Sequence, residues 1–164
     1  MPLRHVDPHR KRGRAYQRGV RFGRSPVGQF FARHVARRTD PYLFRLTGGR
    51  VNMGPIINAP LVSTGAKSGQ RRQTQLTYFN DGSDVILVAS NYGKRRHPSW
   101  YFNLTAHPEC EFGDEPFTAT EVTDPEEYAR LFALAEKVYA GYDDYREKTS
   151  GTGRQIPIMR LTPR

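Results

Sequence analysis

From Pro60 onward the chain is cut into short β-prone runs by turn-forming residues, and that rhythm constrains the fold most. Leu61–Thr64 and Thr74–Phe79 flank the loop Gly65-Ala66-Lys67-Ser68-Gly69-Gln70-Arg71-Arg72. Asp81-Gly82 is a turn signal before the run Val85–Ala89, and Gly113-Asp114 separates Cys110–Phe112 from Phe117–Val122. Ile156–Leu161 reads as a closing strand, with Pro157 placing it at an edge or marking its start. Two helices interrupt the series. One opens at Pro98 (PSWYFNLTAH) and closes near Pro108. The other begins at Asp124-Pro125-Glu126-Glu127, a cap followed by Pro and acids in the first turn. It continues through Tyr128, Leu131, Phe132, Ala135 and Val138. Without a βαβ alternation the parallel folds drop out. What remains is a mainly β, α+β chain: a small barrel with helical additions.

The chain has 164 residues, enough for one core, and its net charge of +10 is concentrated at one end. Residues 1–50 carry 13 Lys/Arg against Asp7 and Asp40, whereas residues 51–164 carry 13 Lys/Arg against 14 Asp/Glu. We therefore divide it into a basic arm (1–24), an amphipathic helical segment (25–50) and a nearly neutral barrel domain (51–164). The arm is polar enough to be disordered on its own. In the second segment Ser25-Pro26 reads as a helix start. Val27, Phe30, Phe31 and Val35 follow at helical spacing beside Arg33, Arg37 and Arg38. Asp40-Pro41 restarts a short helix through Tyr42, Leu43 and Leu46, which Gly48-Gly49 ends. Cys110 is the single cysteine, so no internal disulfide forms, and we read it as a small apolar residue. With neither a membrane-length apolar run nor a secretory signal, the expected location is the cytoplasm.

Three clusters carry chemistry. The loop Gly65–Arg72 combines two glycines with Lys67, Arg71 and Arg72, an arrangement suited to phosphate or carboxylate. It lacks the ending of a nucleotide-triphosphatase loop, and a solvated hairpin is the simpler alternative. The stretch from Ala89 to Asn103 puts small polar groups at a strand end, then a basic loop, then Trp100 at a helix start. Trp100 can wall a planar ring, with Asn103 on the same helical face, or it can pack into the core. His97, just before Pro98, reads as a cap or surface residue. The third cluster is Tyr139, Tyr142 and Tyr145; if one long helix persists, their spacing brings the phenols to one side. Zinc-type spacing, a nucleophile elbow and a dinucleotide fingerprint are all missing, so any chemistry is expected to come from a bound cofactor.

Taken together, LVSTGAKSGQRRQTQLTYF, VILVASNYGKRRHPSWYFNLTAHPE and VYAGYDDYREKT…RQIPIMRLTP resemble, in order and spacing, the deazaflavin (F420)-dependent nitroreductases of actinobacteria. That family is also described as F420H2-dependent quinone reductases. The likeness spans roughly residues 40–164. It implies a split β-barrel of the FMN-binding-like type with N-terminal helices and with coenzyme F420, in its reduced form, in a groove. Ala66, Lys67, Ser68 and Arg72 would then hold the coenzyme's phosphate. Gln73, Thr74, Gln75, Leu76 and Thr77 would run beside the deazaflavin, and Val88, Ala89, Ser90 and Asn91 would contact its ring. Ser99, Trp100, Tyr101, Phe102 and Asn103 would complete the cofactor site. Ser90 and Tyr142 would be the catalytic pair, with Tyr139 and Tyr145 as further pocket residues. Two departures stand out. Thr74-Gln75-Leu76-Thr77 replaces the relatives' Thr-Pro-Leu-Tyr, and Ala66 stands where a basic residue is usual.

The implied function is hydride transfer from F420H2 to a quinone-like or nitro-type acceptor. Rival readings are an FMN-dependent oxidase on the same fold, a non-enzymatic carrier of the coenzyme, and a module whose arm binds nucleic acid. With only Tyr16 and Phe22 available for stacking, nucleic acid is not an expected partner of the arm. An anionic membrane face is the better candidate for a peripheral contact, unless the arm folds over the pocket.

Overall fold

A computed structural model of the chain describes residues 3–11, 13–31, 34, 39, 57–151 and 153–164. The expected helical positions Arg33, Val35, Arg37 and Arg38, the restart through Asp40-Pro41, Tyr42, Leu43, Leu46 and Gly48-Gly49, and the boundary at residue 50 lie outside those residues.

Six antiparallel strands close into a barrel in the order β1-β2-β3-β6-β5-β4. They are β1 (Asn58–Thr64), β2 (Arg71–Asp81), β3 (Asp84–Val88), β4 (Glu109–Phe112), β5 (Glu115–Glu121) and β6 (Ile158–Pro163). Pairing of Leu61 with Phe112 and of Val62 with Glu111 joins the first strand to the fourth, leaving no open edge. The α+β barrel expected from the sequence is therefore the fold. The closing strand begins just after Pro157, at Ile158.

Turn chemistry sets the hairpin registers. Gly113 (φ 61°) and Asp114 (φ 70°) both lie in the left-handed region, the requirement of a two-residue turn matched to strand twist. That turn aligns Phe112 with Glu115 and Cys110 with Phe117. Tyr78, Phe79, Phe112, Leu61, Ile86, Leu87 and Ile158 are fully buried side chains of the barrel. Burying each such side chain contributes about 1.5–3 kcal/mol, the term that drives closure. Burial also pushes the Cys110 thiol up to about 12, so it stays a protonated, apolar filler, as its sequence context suggested.

Three helices follow β1–β3 or lie between strands: α3 (Ser99–Ala106), α4 (Pro125–Val138) and α5 (Gly141–Ser150). The Asp124 side chain caps α4 by accepting from the Glu127 N–H at 2.8 Å, with Pro125 in the first turn. Leu131, Phe132, Ala135 and Val138 form its buried stripe. Two arginines fasten this helix to the barrel. Arg130 reaches Asp81 (2.6 Å) and Glu127 (2.8 Å), while Arg160 on β6 bonds Asp84 (2.7 Å), Asp81 (3.2 Å) and Glu127. The helix stops at Val138, so Tyr139 is its cap and Tyr142 and Tyr145 belong to α5; the single long helix considered for these tyrosines is two.

Described residues of the arm make contacts with the barrel. The Val6 N–H donates to Asn80 Oδ1 (2.8 Å) and its carbonyl accepts from Asn80 N–H (2.9 Å). Tyr78 Oη donates to the Arg4 carbonyl at 2.6 Å, and the Leu3 N–H donates to Glu115 at 3.0 Å. Residues Arg14–Arg24 then form α1, and Pro26–Phe31 form the short α2. Val20 is buried, and Tyr16 Oη donates to the Val138 carbonyl, which lays α1 against the end of α4.

Candidate functional site

The β1–β2 loop is shaped by its own backbone. Gly65 N–H donates to the Gln70 carbonyl and Gly69 N–H to the Gly65 carbonyl, both at 2.8 Å. A Cβ at residue 65 would fall 2.7 Å from Ser68 Oγ, which can rotate away, and 3.2 Å from the Gln70 carbonyl, so a side chain there would crowd this closure. The loop is held to the body by Asn103 of α3, which is buried. Its Oδ1 accepts from Ala66 N–H (3.0 Å) and its Nδ2 donates to Ser63 Oγ on β1 (3.2 Å). Lys67 and the N–H groups of Lys67 and Ser68 have no partner among the described residues. An unpaired ammonium beside free amide donors is a receptive anion cradle. Arg72 lies at the foot of the same loop, bonded to Gln70 (3.2 Å), while Arg71 is turned to Glu111 (2.5 Å).

Beyond the loop, strand register divides the run Gln73–Thr77. Thr74 sits opposite Leu61 and Leu76 opposite Ala59, both fully buried, so Thr74 and Leu76 share the inner face. Gln73, Gln75 and Thr77 share the other, and only alternate residues can line one groove. Thr77 Oγ1 is taken by Asn58 Oδ1 (2.7 Å). Both polar atoms of the Gln75 carboxamide are buried without a hydrogen-bond partner. Leaving such groups unmade costs about 1–3 kcal/mol each, which marks the position as one that a ligand completes.

At the end of β3, Val88 and Ala89 are in the core and Ser90 is buried. The chain then makes a turn in which Asn91 (φ 48°), Tyr92 (φ 57°) and Gly93 (φ 72°) are consecutively left-handed. For two non-glycine residues in a row this is strained backbone, of the kind that persists where its surroundings over-determine it. Trp100 is buried in the core, while Ser99 and Phe102 are exposed and Tyr101 bonds Glu121 at 2.9 Å. Trp100 is packed in the core, and Asn103 bonds the loop and β1 through both ends of its amide.

The three tyrosines do meet, although from separate elements. Tyr139 stands edge-on to Tyr142 (5.4 Å between centroids), Tyr142 lies 6.3 Å from Tyr145, and the Tyr139 and Tyr145 hydroxyls are 3.3 Å apart. Tyr92 of the strained turn packs edge-on to Tyr145 at 6.0 Å. The cluster thereby joins the turn after Ser90. Burial raises the Tyr142 and Tyr145 hydroxyls above the ordinary phenol value, keeping them protonated donors. The Tyr142 hydroxyl has no partner among the described residues.

Sequence reasoning missed Arg154. Its Nε–H donates to His97 Nδ1 (3.0 Å) and its other nitrogens to the carbonyls of Ala89 (2.7 Å), Ser90 (3.2 Å) and Lys94 (2.5 Å). Partners some sixty residues away leave no local signal. A cavity of about 500 Å³ lies elsewhere, between the arm and the end of α4, lined by Pro8, Tyr16, Val20, Glu136 and Val138 among others. None of the loop 65–72 borders it. Among the described residues no group of three or more His, Cys, Asp or Glu could hold a metal ion. None of their helices is long and apolar enough to cross a membrane.

Residues 34–163 match the model of a family described as F420H(2)-dependent quinone reductase. The chain belongs to that family. It is 38% identical over 152 residues to an F420H(2)-dependent quinone reductase of Mycobacterium tuberculosis, covering 84% of this chain and 99% of that one. A solved F420-H2 dependent reductase is 34% identical with a TM-score of 0.55, over 64% of this chain and 93% of that one. Another solved structure, described as a domain-swapped dimer, is 30% identical with a TM-score of 0.59, over 84% of this chain and all of that one. As a family member the chain is an F420-dependent reductase. The residues present fit the reduced deazaflavin: an anion cradle and an unpartnered buried carboxamide lie on one β-hairpin.

Proposed function

We propose that this reductase passes a hydride from F420H2 to a quinone-like acceptor, with nitro compounds as a second acceptor class. The observation that carries the placement is the orphaned Gln75 carboxamide, on the hairpin whose loop presents Lys67 and two free amides. Lys67, Ser68, Arg72 and the loop backbone at Ala66 would hold the phosphate end. Gln75, flanked by Gln73 and Thr77 on one face of β2, would meet the polar edge of the ring system. Ser90 and Asn91 would border the ring from the end of β3, and Tyr139, Tyr142 and Tyr145 would enclose the acceptor.

The bound coenzyme supplies a two-electron hydride. What this chain's residues add is position, a dry site and hydrogen-bond donors. Tyr142, protonated because it is buried, can donate to an acceptor oxygen as that oxygen gains charge. Ser90, buried at the strand end, is the second such donor. The tyrosine rings exclude water, which strengthens both bonds.

The basic arm supports a peripheral contact with an anionic membrane face, where lipid-soluble quinones reside. Arg14, Arg18 and Arg21 on α1 are exposed, and so are Phe22, Val27 and Phe30.

Titration with F420, FMN as control, tests the core of this reading through Trp100 fluorescence. Selective binding of the deazaflavin is expected, weakened in Gln75→Leu, followed by turnover with quinones. Equal response to FMN, or a Gln75→Leu variant that binds as the wild type, would overturn the placement.

A further inference from the structure

Two features of the turn after Ser90 remain without a role: its backbone strain, and a half-buried cation with no acidic partner among the described residues. Arg154 sits in the segment between α5 and β6 and forms no ion pair among the described residues. Four of its five N–H donors are spent within one loop. They grip the carbonyls of Ala89 and Ser90 on one side of the left-handed turn, and the Lys94 carbonyl and His97 Nδ1 on the other. The turn itself adds Gly93 N–H to the Ser90 carbonyl (3.0 Å) and Asn91 Nδ2 to the Arg96 carbonyl (2.8 Å). A guanidinium is the one side chain able to satisfy that many divergent acceptors in a fixed plane, and a lysine is not equivalent there.

Because Arg154 Nε–H donates to Nδ1, His97 must be neutral, with its proton on Nε2. The ring is kept in place by Tyr101 (5.0 Å) and Phe102 (6.0 Å) of α3. Partial burial, and then the Arg154 charge, hold His97 below the usual imidazole value, against a smaller opposing pull from Glu121. One arginine therefore ties together the end of β3, the strained turn and the entry to α3.

We propose that Arg154 is a positioning residue, whose guanidinium clamps the 89–97 turn and fixes the His97 tautomer so that Ser90 and Asn91 are presented to the reacting groups. The inference rests on the assignment of Ser90 and Asn91 to the site. It extends that assignment to Arg154, which opens the quoted run RQIPIMRLTP but was given no role in the site there.

The test compares Arg154→Ala, Arg154→Lys and Ser90→Ala with the wild type. A displacement of reacting groups by about 1 Å costs on the order of 100-fold in rate, so Arg154→Ala is expected to lose about 10–100-fold in kcat. The acceptor KM is expected to change much less. Arg154→Lys should recover little, and millimolar guanidinium added to Arg154→Ala should recover much of the rate. In the wild type, ¹⁵N NMR of His97 should show an Nε2–H tautomer, replaced by a mixture in Arg154→Ala. If Arg154→Ala turns over like the wild type while Ser90→Ala is impaired, the clamp is wrong and the site stands. If both variants turn over normally, the assignment of Ser90 falls and takes the clamp with it. Should Arg154→Ala not fold, an Nδ1–H tautomer in the wild type still overturns the proposal, because the Arg154 bond cannot then exist.

Discussion

Replacing Asn103 separates the loop-holding role from general packing. Its carboxamide makes two bonds, to Ala66 N–H at 3.0 Å and Ser63 Oγ at 3.2 Å. In Asn103→Ala the exposed Ala66 amide can rehydrate, for a net loss of about 0.5–1.5 kcal/mol. Ser63 is only 5% exposed, so stranding its hydroxyl costs about 1–3 kcal/mol more. Together these come to about 2–4 kcal/mol, or roughly 5–15 °C in Tm for a domain of this size. The loop loses its tether to α3 as well. Re-ordering even one residue on binding costs about 1–2 kcal/mol, so coenzyme affinity should fall about tenfold. Asn103→Asp is the informative partner: its oxygen still accepts from Ala66 and Ser63 can rotate to donate, so stability falls less. The new negative charge beside a phosphate cradle should nevertheless weaken the coenzyme at least as much as alanine does. Chemical denaturation and fluorescence titration measure both quantities. An Asn103→Ala protein as stable as the wild type, or one destabilised but with unchanged affinity, would refute the argument.

Three other expectations follow from the same contacts. Tyr142→Phe keeps the ring and removes a donor, so kcat should drop about 10–100-fold with coenzyme binding little altered; equal kcat would remove Tyr142 from the chemistry. Hydrogen bonds from Arg130 hold the Asp81 and Glu127 carboxyls below their ordinary values of 3.8 and 4.5. Their stabilisation is complete above those values and is lost as pH falls through the lower folded values. Tm should therefore decline below about pH 4 and do so less steeply in Asp81→Asn; parallel curves would show that the network does not carry the acid sensitivity. Finally, the full chain should sediment with anionic vesicles at low salt and be released at high salt, and Phe22→Ser with Phe30→Ser should weaken this. Absence of binding at low salt would end the membrane reading.

The barrel was legible because its signals are local. Gly113-Asp114, Asp81-Gly82, the Asp124 cap and the alternating strand residues each act within a few positions, so the elements fell within one to three residues of their observed ends. Side-chain assignments within the site were less legible, because they depend on which face a strand presents and on partners brought together only by closure. The run Gln73–Thr77 looked uniform, yet pairing with β1 sends Thr74 and Leu76 inward and leaves Gln75 on the opposite face. The arm's polarity concealed Val6, which the side chain and backbone N–H of Asn80 capture seventy-four residues away.

Asn103 and Trp100 belong to one motif but are held by different interactions. Helical spacing places them on one side of α3, and both are buried, but they are buried for different ends. Trp100 joins the apolar core, which wants area and no particular polar partner. Asn103 is spent on a loop and a strand that only the closed barrel brings within 3.2 Å of its amide. Asn103 has spent one N–H and one lone pair of its carboxamide and keeps one of each, whereas Gln75 has spent none. Hydrogen-bond accounting therefore ranks Gln75 above Asn103 as a direct contact, although the motif alone ranks them the other way.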